Sequence, residues 1–214
     1  EPTFIGVQPP QGLTEQAIAN GDVAAFEQAV SEAGNDPSKL GRIHDLLPAG
    51  DPRKAALLPI VLGEISGDAA ESIVAALQDQ DYTRSELADA AKASEGNPVV
   101  MQALADVARY KASVNRDAGN GETAAEMDRL SAAFGAIATA SEPVRKELAY
   151  AFDGRGNGGD FERALAAATT PADADALAAW INHNTAVEAN DWFPSISDPQ
   201  GALRRVALFR ESLS

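Results

Sequence analysis

The sequence predicts an all-α protein, a multi-helix array or irregular superhelix of about ten short antiparallel helices. Alanine, the residue with the highest helix propensity, accounts for 44 of the 214 residues. Proline repeatedly follows an Asp, Asn or Thr residue, a pair that marks the first turn of a helix. Apolar residues recur at steps of three and four, which gives the predicted helices one apolar face each.

Two kinds of mark predict where helices begin. In the first, a capping side chain accepts a free backbone N–H, and the proline after it needs no N–H partner. In the second, a glycine ends one helix and the polar residue after it caps the next. The cap–proline pairs are Asp36-Pro37, Asp51-Pro52, Asn97-Pro98, Thr170-Pro171 and Asp198-Pro199, with Ser141-Glu142-Pro143 as a looser version. The glycine marks are Gly21-Asp22, Gly67-Asp68, Gly96-Asn97, Gly121-Glu122 and Gly159-Asp160.

These marks divide the chain into helical spans, some of which could merge. Pro59 lies inside the fourth span and is expected to kink or divide it. Strands are not predicted, because Val, Ile, Thr and aromatic residues are sparse. The predicted spans are 13–19, 22–33, 37–46, 52–65, 68–78, 83–94, 98–115, 122–139, 142–152, 160–169, 171–188 and 199–213.

The domain organisation follows from the distribution of proline and glycine. Residues 1–12 hold three prolines and two glycines and are predicted to form an extended N-terminal arm. Residues 13–214 are predicted to form a single helical domain, with a soft boundary possible at 153–160. The intervals between the glycine marks are unequal, which argues against a repeat of one fixed period.

Composition excludes several functional classes. The net charge of −15 argues against binding to nucleic acid, which requires clustered Lys and Arg. The absence of cysteine excludes disulfides, thiolate metal sites and cysteine nucleophiles. No apolar run is long enough to span a membrane. We expect no cofactor and no metal. The high alanine content is associated with bacterial proteins, and cytoplasm, periplasm and export all remain open.

The glycine-rich loop between Asp153 and Asp160 is a candidate anion or metal site. Glycine-rich backbone can direct N–H groups at an anion, and Asp153, Asn157 and Asp160 could offer oxygen atoms to calcium. A phosphate-binding loop would also need Gly-Lys-Ser/Thr, and an EF-hand loop would need Glu where Ala164 stands. The alternative is a loop that only connects two helices.

Two histidines are the candidate acid–base groups. His183 and Glu188 lie on one predicted helix, and such a pair could transfer protons. We expect a structural role for this helix instead, because no nucleophile or oxyanion site accompanies it. His44 precedes Asp45, and we expect a surface or capping role, since a multi-histidine metal site cannot be assembled from two histidines.

Adjacent aromatic residues, Trp192 and Phe193, lie in a predicted loop between two helices. Aromatic residues in a loop either attach that loop to the core or form a binding hot spot. Both interpretations remain open, and the pair is kept as a candidate binding site.

The last predicted helix carries Arg204, Arg205 and Arg210, a basic patch on an acidic protein. Its segment Gly201-Ala-Leu-Arg204 resembles the arginine-finger segment of bacterial effectors that act as GTPase-activating proteins on host Rho-type switches. The resemblance covers four residues and implies that Arg204 inserts at the nucleotide and stabilises transition-state charge. The family's second motif, which contains glutamine and glycine, has no counterpart here. The alternative is that Arg204 and Arg205 pair with acidic neighbours.

We therefore expect a non-enzymatic helical module that binds another protein, from a bacterium and compatible with export or a role in virulence. Helical arrays commonly present binding faces or grooves. The alternative is an enzyme or GTPase-regulating effector that uses Arg204 or the glycine loop at 153–160.

Overall fold

A computed structural model of the chain describes residues 11–79, 83–152, 159–188 and 198–213. These ranges contain twelve α-helices and no strand, which confirms the predicted all-α multi-helix array. The helices of the first half are α1 (Gln11–Ala19), α2 (Val23–Ala33), α3 (Pro37–Leu46), α4 (Pro52–Val61), α5 (Gly67–Gln78) and α6 (Arg84–Ala93). Those of the second half are α7 (Pro98–Asp117), α8 (Gly121–Thr139), α9 (Glu142–Ala151), α10 (Gly159–Ala167), α11 (Pro171–Glu188) and α12 (Pro199–Ser212).

The two longest helices, α7 and α8, form a hairpin at the centre of the fold. Helices α4, α5 and α6 pack against α7, and α11 packs along α8. Helices α1, α2 and α3 contact one another and join the rest through α4 and α5, whereas α12 packs against α11. Buried apolar side chains from Ile18 in α1 to Val206 in α12 form one contiguous core.

The cap–proline pairs mark helix starts as predicted. Helices α3, α4, α7, α11 and α12 each begin at the proline of such a pair. The Asp36 carboxylate, for example, accepts hydrogen bonds from the backbone N–H groups of Ser38 and Lys39 at 2.9 and 3.3 Å. These helix starts are set by hydrogen bonds between residues close in the chain, and the residue types that form them can be recognised in the sequence.

Three of the helices that were predicted to follow a glycine begin one residue earlier, at the glycine itself. Gly67 and Gly121 are the first residues of α5 and α8, and the N-cap positions belong to Ser66 and Asn120 before them. Helix α10 likewise begins at Gly159. At these three positions the glycine opens a helix instead of ending the preceding one.

The prediction for Pro59 was wrong in detail, because the helix is neither kinked into two nor continued to residue 65. Helix α4 ends at Val61, two residues after the proline. Proline has no N–H for the carbonyl four residues earlier, which weakens the last turn. The Pro59 carbonyl then accepts hydrogen bonds from the N–H groups of Glu64 and Ile65, at 2.8 and 3.1 Å, and closes the turn.

A close backbone contact joins the start of α9 to the loop before α7. Gly96 has a φ of +74°, and a Cβ placed on it would lie 2.7 Å from the backbone carbonyl atoms of Arg145. The Arg145 guanidinium donates to the carbonyl oxygen of Gly96 at 3.0 Å and also to that of Ala140. Only glycine combines that backbone conformation with so close an approach.

The predicted N-terminal arm and soft boundary stay predictions. Residues 1–10 and 153–158 lie outside the described residues. Residues 11 and 12, which the sequence placed in the arm, belong to α1.

Candidate functional site

A cleft of about 370 Å³ opens where α1, α2 and α3 meet. Its apolar floor comes from all three helices and includes Ile18, Ala33 and Ile43, each at most 7% exposed. Charged and polar side chains stand at its rims. An apolar floor with a polar rim is the usual anatomy of a protein-binding groove.

The spacing of the lining residues shows that each wall is one face of a helix. On α3 they are Lys39, Arg42, Ile43 and Leu46, at steps of three and four. From Lys39 to Leu46 helix α3 rises by about 10 Å, which is two turns. The cleft therefore matches the two turns of an amphipathic helix that present anchors at i, i+3, i+4 and i+7.

One wall of the cleft is weakly held. Among the described side chains of α1, only Ile18 is fully buried. A nine-residue helix with one buried anchor contributes little local stability, because helices of this length depend on tertiary packing. Helix α1 can therefore adjust to an occupant at low energetic cost.

The two rims of the cleft carry opposite charge. Lys39 and Arg42 are exposed on the α3 rim, three residues apart on one helix. Glu15 of α1 and Glu32 of α2 are exposed on the parts of the lining that those two helices supply. Glu32 also accepts a hydrogen bond from the Gln28 side chain at 2.9 Å, along its own helix.

The predicted C-terminal basic patch is mostly engaged in ion pairs. Arg205 binds both carboxylate oxygens of Glu162 in α10, at 2.6 and 2.7 Å. Arg210 pairs with Asp175 of α11. These two arginines attach α12 to the neighbouring helices. Arg204 is different, because its side chain is 73% exposed and its guanidinium lies 4.0 Å from the Asp198 carboxylate.

The candidate anion or metal loop is described only at its last residue. Asp160 lies in the first turn of α10 and forms an ion pair with Arg163, which also binds Glu147 at 2.8 Å. Asp153 and Asn157 lie outside the described residues. The other candidate binding residues, Trp192 and Phe193, also lie outside them.

His183 is enclosed in the core and is only 1% exposed. Its ring lies 5.6 Å from the ring of Phe152, and neither ring nitrogen has a hydrogen-bond partner. Burial, reinforced by the positive charges of Arg84 and Arg129, lowers the pKa of His183 to about 3. Such a histidine is neutral near pH 7 and sits away from solvent.

His44 lies in the last turn of α3, where its ring contacts the Asp45 carboxylate at 3.0 Å. The His44 side chain is 16% exposed, so it is partly buried at the end of α3.

A buried arginine, which sequence reasoning missed, joins α2, α4 and α7. The Arg53 guanidinium lies 4.6 and 5.2 Å from the ring centroids of Phe26 and Tyr110, which contact each other edge to face. It binds Asp51 through two N–H groups, at 2.7 and 3.0 Å. Burial raises the pKa of Tyr110 to about 12. Paired with a carboxylate and in contact with two aromatic rings, Arg53 stabilises the junction of these three helices.

Asp173 is a second buried charge with a structural role. Its carboxylate is fully buried and accepts the backbone N–H groups of Ser141, Thr169 and Thr170, at 2.7 to 2.9 Å. Burial alone would raise its pKa, but these hydrogen bonds outweigh it and the pKa is lowered. Asp173 thus caps its own helix and ties it to the start of α9.

Nothing in the described ranges forms a cluster of three or more His, Asp or Glu side chains that could hold a metal ion. Within the same ranges, no helix is both long and apolar enough to cross a membrane. No protein-family model, curated protein or solved structure matches this chain.

The cleft was not predicted from the sequence. Lys39 and Arg42 are visible in the sequence as two cations on one side of a predicted helix. The sequence does not show that α1 and α2 pack beside the apolar face of α3 and form the cleft, because that arrangement depends on tertiary packing. A cation pair beside an apolar stripe was the only available signal.

Proposed function

We propose that this protein is a helical interaction module that binds an amphipathic helix of a partner protein in the cleft between α1, α2 and α3. The observation that carries the proposal is the cleft itself, an apolar floor from three helices framed by charged rims. Its two-turn length fits the anchors of a docked helix, and the weakly held α1 can adjust to them.

The surroundings of the titratable groups favour binding over catalysis. His183, the strongest acid–base candidate of the sequence, is only 1% exposed and lies beside the ring of Phe152. A general base must reach the proton that it abstracts, directly or through one water. The buried charges have structural partners: Arg53 pairs with Asp51, and Asp173 accepts backbone N–H groups.

A displayed library of helical peptides tests the proposal. The library has apolar residues fixed at i, i+3, i+4 and i+7 and random residues elsewhere, and it is selected on the wild-type protein. The blocking variant is Ala29→Trp, because Ala29 is a half-buried residue of the cleft lining and a large ring there would fill the space. Circular dichroism and thermal unfolding show whether the variant keeps its fold.

Enriched peptides are expected to bind the wild type and to lose binding to Ala29→Trp. A photoreactive benzophenone side chain at the exposed rim position Glu32 should crosslink the bound peptide. The same group at Leu62, an exposed apolar position on α4's C-cap and outside the cleft, is the matched control. Failure to enrich any helix, or equal crosslinking from both positions, would contradict the proposal.

A second candidate, the GTPase-regulating effector, is favoured by one observation, the exposure of Arg204. An arginine finger must be free to reach a nucleotide, and the Arg204 guanidinium is largely free whereas Arg205 is held by Glu162. The test is GTP hydrolysis by Rho-type GTPases with the wild type, Arg204→Ala and Arg205→Ala. Acceleration that Arg204→Ala abolishes and Arg205→Ala retains would support this candidate.

A further inference from the structure

Among the described residues, most exposed Lys and Arg side chains lie close to a carboxylate, whereas two of them do not. Six exposed Lys or Arg side chains in the second half of the described chain each have a carboxylate oxygen within 3.2 Å, whereas Arg204 reaches only to 4.0 Å from Asp198. The six are Arg109, Arg116, Lys146, Arg163, Arg205 and Arg210. Lys39 and Arg42 are also exposed, but neither has an ion pair or a side-chain hydrogen bond with a described residue. Both stand on the α3 rim of the cleft.

Unpaired cations are unexpected on this surface. The chain carries 32 acidic against 17 basic residues, so an exposed cation has carboxylates available on most sides. Helix stability does not account for Lys39 either. It is the third residue of α3, where the helix dipole favours an anion over a cation by a few tenths of a kcal/mol or more.

The charged residues around the apolar floor differ in sign from helix to helix. Lys39 and Arg42 lie on α3, whereas Glu15 lies on α1 and Glu32 on α2. A helix docked on that floor would place one flank against the cations and the other against the carboxylates. Charges that match both flanks would fix the orientation of the helix and exclude the reversed one.

We infer that the partner helix carries acidic residues along the flank that faces α3, and basic or neutral residues along the flank that faces α1 and α2. This inference rests on the proposed function, because it concerns the occupant of the same cleft. It adds the chemical class of the partner and its orientation, and it names Lys39 and Arg42 as the residues that select the partner by charge.

The random positions of the peptide library test the inference. The overall charge of −15 attracts basic peptides non-specifically, so enrichment of Asp and Glu on one flank would have to come from a local basic site. We expect acidic residues on one flank of the enriched helices, and weaker binding as salt is raised, because exposed charge pairs are screened.

Two pairs of substitutions separate local from overall charge. Lys39→Gln with Arg42→Gln should weaken binding of an acidic-flank peptide by about 2- to 30-fold, the range expected for two exposed ion pairs. The matched control, Arg116→Gln with Lys146→Gln, removes the same charge from exposed positions outside the cleft and should change affinity by less than about 2-fold. Charge reversal, Lys39→Glu with Arg42→Glu, should redirect the selection towards basic flanks.

The outcomes distinguish this inference from the proposed function. If helices bind the cleft and lose binding to Ala29→Trp, but show no acidic flank and no response to Lys39→Gln with Arg42→Gln, the inference is wrong and the proposed function stands. If the two glutamine pairs weaken binding equally, the charge effect is global and the inference is again wrong. If no helix binds the cleft, both are wrong.

Discussion

Acid should destabilise this protein through His183. The side chain is 1% exposed, its ring nitrogens have no partners, and its pKa is lowered to about 3 from an ordinary value near 6.5. Between these two values the unfolded chain binds a proton that the folded chain does not. Stability contributed by neutral His183 is therefore fully present above about pH 6.5 and is lost as the pH falls towards 3.

The magnitude follows from the difference in pKa. A difference of about 3.5 units corresponds to about 4 to 5 kcal/mol once the histidine is protonated in both states. From pH 8 to pH 5 the same relation gives a loss of about 2 kcal/mol in the free energy of unfolding. The reason is that pH 5 lies about 1.5 units below the pKa of the histidine in the unfolded chain. A loss of that size is a large fraction of the stability of an ordinary domain.

Urea unfolding of the wild type and of His183→Leu, at pH 8 and pH 5, measures this contribution. Leucine has a similar volume, does not titrate, and replaces nitrogen atoms that have no hydrogen-bond partners, so it should fold. The wild type should lose about 2 kcal/mol more than His183→Leu over this interval. Carboxylates that titrate in the same range affect both proteins and cancel in the difference.

His44→Gln is the matched control, because it removes the other histidine, which is partly exposed and contacts the Asp45 carboxylate. It separates the burial of His183 from the mere removal of a histidine. Equal losses in the wild type and in His183→Leu would refute the reasoning, as would an NMR titration of His183 with a midpoint near pH 6.5.

Three further substitutions test the structural account by urea unfolding at pH 7. Asp173→Ala should cost about 2 kcal/mol or more, because three part-buried backbone N–H groups lose their charged acceptor. A loss below about 1 kcal/mol would contradict the capping role. Gly96→Ala should cost about 2 to 5 kcal/mol, because alanine disfavours the positive φ and its Cβ would lie 2.7 Å from the Arg145 backbone. An unchanged free energy of unfolding would contradict that geometry. Arg205→Ala should cost less than about 1 kcal/mol, because its pair with Glu162 is half exposed, and a loss above 2 kcal/mol would show that the pair holds α12 more firmly than an ordinary surface ion pair.

Helix starts were predictable because they depend on residues close in sequence. The predicted spans 37–46 and 171–188 agree with α3 and α11 at both ends. In α11 the Thr170 N–H donates to the Asp173 carboxylate while the Asp173 N–H donates to the Thr170 hydroxyl. Such reciprocal caps span three residues, so a reader of the sequence can recognise them.

Helix ends and side-chain environments were less predictable, because they depend on packing. Nothing near Pro59 in the sequence distinguishes a kink from a stop at Val61. The burial of His183 against Phe152 depends on how α11 meets the end of α9, and Arg53 reaches its aromatic partners only when α2, α4 and α7 assemble.

The candidate site was the hardest part to predict, because its signal is divided among three helices. Each of them has only an ordinary amphipathic pattern in the sequence. The sequence drew attention to unusual local features instead, the basic C-terminal helix above all. In the structure Arg205 and Arg210 of that helix form ion pairs with neighbouring helices. Lys39 and Arg42, which have no ion pair with any residue that the structure describes, lie towards the other end of the chain.

Amide hydrogen exchange of the wild-type protein, with and without a selected helical peptide, tests the central claim most directly. If the cleft is the binding site, added protection will be confined to α1, α2 and α3, and α1 will gain most, because its single buried anchor leaves it the least protected wall. The Ala29→Trp variant should show no such gain. Protection centred on α12, or spread evenly over the helices, would contradict the assignment of function to this cleft.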